Sequence, residues 1–229
     1  SMIRSSLLLL TLIPSITSSQ SDCPCQLYEQ PNLREKERTA RWMVHSLEWG
    51  VLSTVSTKFP GSPPFGNVYS FVDGPCHNST GVPYFYGTYM DQSFQDILSN
   101  PSVSFTLSEA SLSSVCGGSS LSGCRTQDSG GDPENPLCAR LTLIGKLRQV
   151  QPSEEYDVAL NALFQRHQSL QTWPRNHNWV VAKLEVEHIW FIDYFGGADI
   201  MDVAQYFMTD LNENDPYQHN DELDPNQSK

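Results

Sequence analysis

The chain has 229 residues, 38% of them hydrophobic and 10% aromatic, enough apolar mass for one globular domain or two small ones and too much for a wholly disordered chain. Twenty-six acidic residues against fourteen basic ones give a formal charge of −12 and a pI near 4.8. No run of Lys and Arg offsets that charge, which argues against direct binding to nucleic acid or anionic membrane surfaces, and no stretch reaches the roughly 20 apolar residues that span a bilayer.

Residues 1–19 read as a signal peptide. Met2-Ile3-Arg4 gives a positive start, Leu7 to Ile13 an apolar run broken only by Thr11, and Thr17 and Ser19 the small residues of a cleavage site near Ser19. An even count of six cysteines behind such a segment points to disulfides in an oxidising compartment. Residues 20–31 form a tail carrying Cys23 and Cys25. That pair lacks a second Cys or His pair at metal-ligand spacing, so tail links are the simpler reading.

The main domain is placed at 32–208. Asn32 and Glu35 offer a cap-like helix start, with Ala40, Met43, Val44 and Leu47 on one face and Gly50 placed to stop it. Val51–Thr57 reads as a strand. The Pro60-Gly61-Ser62-Pro63-Pro64 turn leads to a second strand near Asn67–Asp73, and Val82–Met90 is a third. Between them, Asn78-Ser79-Thr80 is a glycosylation sequon in a loop, and Asn78 is the expected glycan site. Asn226-Gln227-Ser228 is a second sequon, in a tail that ends soon after.

Asp91 caps a short helix whose Phe94, Ile97 and Leu98 face inward, and Ser102–Leu107 is a fourth strand. Residues 109–136 form a long Ser- and Gly-rich loop holding Cys116 and Cys124, with Cys138 at its end. The expected tether bridges Cys138 to Cys116 or to Cys124. Leu137–Val150 is a fifth strand. Ser153 caps a helix carrying Tyr156, Leu160, Leu163 and Phe164 on one stripe. Val180, Ala182, Leu184 and Val186 then alternate with charged residues, and after His188 the run Ile189-Trp190-Phe191-Ile192 suggests a bend into a strand buried on both faces. Residues 209–229 are an acidic solvated tail. Six strands joined mostly by short turns, with few helices, predict a mainly β, antiparallel barrel with peripheral helices.

No dinucleotide, phosphate-loop, zincin or nucleophile-elbow motif is present, and no catalytic, cofactor-binding or metal-ligating residue is assigned. His167, His177, His188 and Asp193 have no fixed ligand spacing and read as structural groups. A cysteine nucleophile conflicts with bridged cysteines. Trp173-Pro174 and Trp179 are either a binding platform or core and interface packing.

Four blocks in order carry a resemblance: Trp49-Gly50-Val51-Leu52-Ser53-Thr54-Val55-Ser56-Thr57, Gly81-Val82-Pro83-Tyr84-Phe85-Tyr86, Trp173-Pro174 with His177-Asn178-Trp179, and Asp193-Tyr194-Phe195-Gly196-Gly197. Over about residues 35–207 the chain resembles the CREG family, secreted glycoproteins named as cellular repressors of virally stimulated genes. The resemblance implies an FMN-binding type of split barrel, a homodimer, and action through protein receptors or trafficking partners in growth control and the endolysosomal lumen. Animal members of that family are characterised as having the flavin site obstructed, so no cofactor and no catalysis are expected. The alternative is an FMN-dependent oxidoreductase or flavin-binding protein on the same fold. Ser53, Thr54, Ser56, Thr57 and Lys58 offer phosphate contacts in that alternative, although β-propensity explains hydroxyls on a strand equally well. Trp49, Tyr84, Phe85 and Tyr86 offer aromatic area for a dimer interface or for the core.

Overall fold

The computed structural model describes residues 28, 30, 31, 35–112, 124, 132–194 and 196–211. The signal peptide at 1–19, Cys23, Cys25, Asn32, Cys116, most of the 109–136 loop, Asn226 and nearly all of the acidic tail lie outside the described residues.

β-branched and aromatic residues in alternation build one antiparallel sheet of seven strands: β1 (Trp49–Val55), β2 (Pro64–Val72), β3 (Tyr84–Gly87), β4 (Ser102–Ser108), β5 (Arg140–Gln149), β6 (Val180–Ile192) and β7 (Asp199–Met201). Their order is β3-β2-β1-β4-β5-β6-β7. β3 also pairs with β6, from Tyr84↔Lys183 to Gly87↔Val180, so six strands close into a barrel and β7 rides on the outer edge of β6. Four α-helices sit around it: α1 (Lys36–Ser46), α2 (Gln92–Ser99), α3 (Glu154–Arg166) and α4 (Val203–Met208). None of the described helices is long and apolar enough to cross a membrane. The mainly β barrel with peripheral helices read from the strand pattern is the architecture observed.

Inside the barrel the inward rows of the strands interdigitate around aromatic rings. Phe71 and Phe85 each meet Phe105 edge-on with ring centroids 4.9 Å apart, and all three are fully buried. Leu52, Leu107, Leu141, Leu143 and Leu184 complete that core, and α1 caps it with Ala40, Met43, Val44 and Leu47. A second, smaller cluster lies outside the barrel wall, where Ala159, Ala162 and Leu163 of α3 cover Val72, Tyr84 and Val181. Burial on this scale is the main favourable term in folding, worth on the order of 2 kcal/mol for each fully buried large side chain.

Two helix caps follow the sequence, whereas α1 begins at Lys36 with Glu35 at its N-cap and no side-chain cap bond. The Asp91 carboxylate accepts from the Ser93 amide, and the Ser153 hydroxyl from the Tyr156 amide. Other expectations need correction. Gly50 does not stop α1, which ends at Ser46. It lies in β1 opposite Tyr69, because a Cβ there would sit 2.6 Å from Leu107 and 2.7 Å from the Phe105 ring. Leu98 points outward at 65% exposure, since the short α2 presents only Phe94 and Ile97 to the barrel. β7 and α4 were not read from the sequence at all.

The bend expected near His188 is a β-bulge. Ile144 pairs with His188 and Gly145 with Val186, leaving Glu187 as the extra residue. The strand beyond it is not buried on both faces. The extra residue reverses its phase, so Ile189 and Phe191 point inward while Trp190 and Ile192 are half-buried outside. Gly145 is required opposite the bulge, where a Cβ would fall 1.9 Å from the Glu185 carbonyl oxygen. Gly145→Ala is therefore expected to destabilise the fold by about 3 kcal/mol through backbone displacement, read as a lower denaturant midpoint at unchanged m-value.

Candidate functional site

The hydroxyl-rich end of β1 is the place the sequence offered for a phosphate-bearing cofactor, and its residues do not converge outward. Strand alternation sends Thr54 and Ser56 inside while Ser53 stays half-buried on the other face. α2 then delivers Asp96 against them. Asp96 is fully buried, and its Oδ2 accepts from Thr54 Oγ1 at 2.7 Å. Its Oδ1 accepts from the Thr57 amide at 2.7 Å, Thr57 Oγ1 at 2.8 Å and Gln92 Nε2 at 2.7 Å. Burial opposes ionisation of this carboxyl, but the hydrogen bonds from Thr57, Thr54 and Gln92 outweigh it and hold the group below the usual aspartate value. Ser56 Oγ accepts from the Lys58 amide at 3.1 Å. Thr54 and Thr57, two of the five residues offered for a flavin phosphate, are thus engaged by a carboxylate that would repel it, so that pair does not fit the group.

A buried polar cluster lies at the other end of α1. His45 Nδ1 is 2.7 Å from Asp73 Oδ1, and His45 Nε2 is 3.0 Å from the Cys76 carbonyl oxygen. Asp73 Oδ2 accepts from Ser79 Oγ at 2.6 Å and from the Gly81 amide at 3.1 Å. Arg41 donates to the Ser79 carbonyl at 2.8 Å and to the Thr209 carbonyl at 2.8 Å, joining the β2–β3 loop to the end of α4. His45, Asp73 and Arg41 Nη2 hold the loop that carries the sequon, while Arg41 Nη1 binds the end of α4. Asn78 itself is exposed at the tip, beside the disulfide-bonded Cys76.

Of the two partners left open for Cys138, the structure joins it to Cys124, 14 residues away with Cα atoms 4.8 Å apart. Cys116 lies outside the described residues. Glu109 stands beside the bridge, its Oε2 accepting from the Ala139 amide at 3.0 Å. Although Glu109, Cys124 and Cys138 present ligand atoms within 4.8 Å of one another, bridged sulfurs offer no thiolates to a metal.

The four residues weighed as metal ligands serve elsewhere. His167 Nε2 donates to the Phe71 carbonyl at 2.9 Å, and burial lowers its pKa. His177 lies against Trp179, and His188 is exposed on β6. The Asp193 carboxyl is buried, which raises its pKa. Of the four aromatics considered for an interface, Phe85 is in the barrel core, and the Tyr84 hydroxyl donates to Glu155 at 3.0 Å beneath α3. Trp49 is 43% exposed.

Tyr86 belongs to a concave site. It stacks on Trp179 with centroids 5.0 Å apart and planes 17° apart, and Trp173 leans against Trp179 at 5.0 Å and 42°. Leu160 and Phe164 of α3 and Leu170 form the floor, and Gln171, Arg175 and Asn178 the rim, of a cavity of about 490 Å³. The Trp173/Trp179 pair weighed as a binding platform is therefore brought together. No local pattern links Tyr86, 87 residues before Trp173, to that pair.

A family model described as CREG, beta-barrel matches residues 31–208. Protein CREG2 of Mus musculus is 41% identical over 179 residues, covering 77% of this chain and 58% of that protein. Protein CREG2 of Homo sapiens is 40% identical, covering 77% and 57%. Protein CREG1 of Mus musculus is 36% identical over 182 residues, covering 79% and 77%. The chain thus spans somewhat over half the length of the CREG2 relatives. Among solved structures, the heme binding protein from Mycobacterium smegmatis matches with a TM-score of 0.57 at 17% identity, covering 78% of this chain and 61% of that one. Protein Atu2129 of Agrobacterium tumefaciens, of unknown function, matches with a TM-score of 0.54 at 16% identity, covering 77% and 61%. These likenesses show the fold alone, an antiparallel β-barrel.

Two outcomes test the chemistry of the site. Asp96→Ala is expected to cost about 3 kcal/mol, because it strands buried donors, and to lower Tm by roughly 6–12 °C in a domain of this size. A folded-state pKa held low contributes stability above the unfolded-state value and loses it as pH falls, so the gap between the two proteins should narrow below about pH 4 in thermal melts. Removing the Cys124–Cys138 bridge by a double Cys→Ser change should cost about 3 kcal/mol in the chain-entropy model, and non-reducing peptide mapping should recover the Cys124–Cys138 linked pair.

Proposed function

The chain belongs to the CREG family, and from that membership we propose that it acts as a secreted or endolysosomal glycoprotein by binding other proteins, in regulation of growth, differentiation or lysosomal function, without catalysis. The observation that carries this reading is Asp96. An internal carboxylate takes up the Thr54 and Thr57 hydroxyls and the Thr57 amide, so the alternative of a flavin enzyme loses two of the five residues offered for its phosphate and gains a buried negative charge among them. On this reading the chain is organised as a signal peptide at 1–19, a Cys-containing tail at 20–31, the barrel domain at 32–208 and an acidic tail at 209–229. The exposed Asn78 carries the glycan.

The homodimer has a surface suited to it. Strand register aligns Val68, Val51, Thr106, Thr142, Trp190 and Ile200 in one row across the outer face of six strands. The row has no charge, Thr106 and Thr142 satisfy each other at 3.0 Å, and Val68 and Ile200 are 60% and 77% exposed. An uncharged row on a sheet face of an otherwise acidic protein fits a second copy, whose interface would bury on the order of 1,600 Å² or more.

Purified protein should be colourless, with no flavin absorbance band. Added FMN should leave Tm unchanged, where a true ligand at about a hundredfold excess over its Kd adds about 2.7 kcal/mol. A yellow preparation or a clear shift would establish the flavoprotein instead. Sedimentation should give a dimeric mass that falls to the monomer in a Val68→Asp/Ile200→Asp variant, and mass spectrometry with deglycosylation should find a glycan on Asn78.

A further inference from the structure

We propose that the cavity formed by Tyr86, Trp173, Arg175 and Trp179 binds an acidic sugar: a hexose ring carrying a carboxylate or phosphate. It is a small-molecule site and stands apart from the protein-binding reading above.

The site is held in shape before any ligand arrives. Trp179 Nε1 donates to the Pro174 carbonyl at 2.7 Å, which fixes the indole, and Thr88 Oγ1 donates to the His177 carbonyl, which pins the loop to the end of β3. Asn178 adopts the left-handed conformation, φ 51° and ψ 58°, at the turn that brings Trp179 back over Trp173. A cavity of about 490 Å³ lies in the range of small-molecule sites and exceeds the needs of one hexose.

The ring geometry selects the shape of the ligand. Tyr86 and Trp179 lie on one another at 5.0 Å, and Trp173 closes on Trp179 at the same distance, so no parallel gap remains for a flat aromatic ring to enter. What remains is a platform whose open part is Trp173, 40% exposed. The C–H face of a sugar ring, slightly positive, suits the negative face of an indole, and sugar hydroxyls both donate and accept. Asn178 supplies a rim amide that matches them on both counts, and Gln171, whose Nε2 donates one hydrogen to the Phe164 carbonyl at 3.0 Å, keeps its oxygen and second N–H for them.

The charge distribution selects the sign. From residue 158 to residue 184 there is no Asp or Glu, in a chain of charge −12. The three cations of that segment are Arg166, Arg175 and Lys183. Arg166 donates to the His45 carbonyl, and Lys183 pairs with Glu155 at 2.7 Å. Arg175 is exposed at the cavity rim and pairs with no carboxylate among the described residues. Its planar guanidinium is the fork that takes a carboxylate or phosphate through two hydrogen bonds.

The test titrates the full chain, by tryptophan fluorescence and by calorimetry, with a hyaluronan tetrasaccharide and with glucose 6-phosphate. Cellobiose serves as the neutral sugar and indole-3-acetate as the flat aromatic acid. Saturable binding of either acidic sugar that weakens with salt is expected, the two arms deciding between carboxylate and phosphate. Arg175→Gln should weaken it about tenfold, Trp173→Ala should abolish it by calorimetry, and Trp49→Ala, exposed elsewhere on the barrel, should leave it unchanged. No saturable binding of either acidic sugar at millimolar concentration overturns the proposal. So does binding of cellobiose or indole-3-acetate as tight as that of the acidic sugar, or full binding by Trp173→Ala.

Discussion

Four residues close the barrel. β3 is only Tyr84–Gly87, yet it pairs with β2 on one side and β6 on the other, and without it the sheet has two open edges. So short a strand holds because its two faces are anchored in different cores. Phe85 points into the barrel against Phe71 and Phe105, while Tyr84 and Tyr86 point out beneath α3. Gly87 completes the inner face: a Cβ there would fall 2.1 Å from the Phe94 ring, so α2 can seat its one large aromatic only against glycine. The seam that closes the barrel thereby also positions α2, and with it Asp96.

From that seam two regions diverge in how they use their polar groups. On the α2 side, Asp96 gathers three side chains and one amide. On the α1 side, Arg41, His45 and Asp73 bind the β2–β3 loop and the α4 end. Buried polar groups paired to this extent stabilise one arrangement strongly. On the α3 side the pattern reverses: Tyr86 leaves the seam outward, the two indoles settle on it, and the rim keeps two exposed amides and a guanidinium that pairs with no carboxylate among the described residues.

Most of the barrel was legible in the sequence because its signals are local. Alternation marked β6, Asp91 and Ser153 marked the starts of α2 and α3, and loss of phase after His188 marked the bulge. What was missed depends on distant partners. Gly50 looks like a helix stop in sequence and is a contact demanded by Leu107 and Phe105 in space. β7 is three residues long and exists because β6 offers it an edge. The hydroxyls of β1 were visible, but their occupant was not. Asp96 sits four residues after Gln92 on a short helix and reads as an ordinary surface acid until α2 docks. The Trp173 and Trp179 pair was visible as a platform, and only barrel closure supplied the third ring.

The same contrast separates the groups this chain commits to structure from the surfaces it leaves open. Catalytic groups need poised, incompletely satisfied partners whose pKa values lie near the working pH. Among the described residues, the buried titratable groups with partners are committed to structure: Asp96 to Thr54 and Thr57, His45 to Asp73, His167 to the Phe71 carbonyl. The surfaces left unspent are of another kind, an uncharged row on the outer sheet and a ring-lined cavity with Arg175 at its rim. Neither carries a nucleophile or a general base at hydrogen-bonding distance from a partner that would activate it. Both are shaped before anything binds, by strand register in one case and by the Pro174 and Thr88 hydrogen bonds in the other, and rigid surfaces of that kind retain more of their contact energy as affinity.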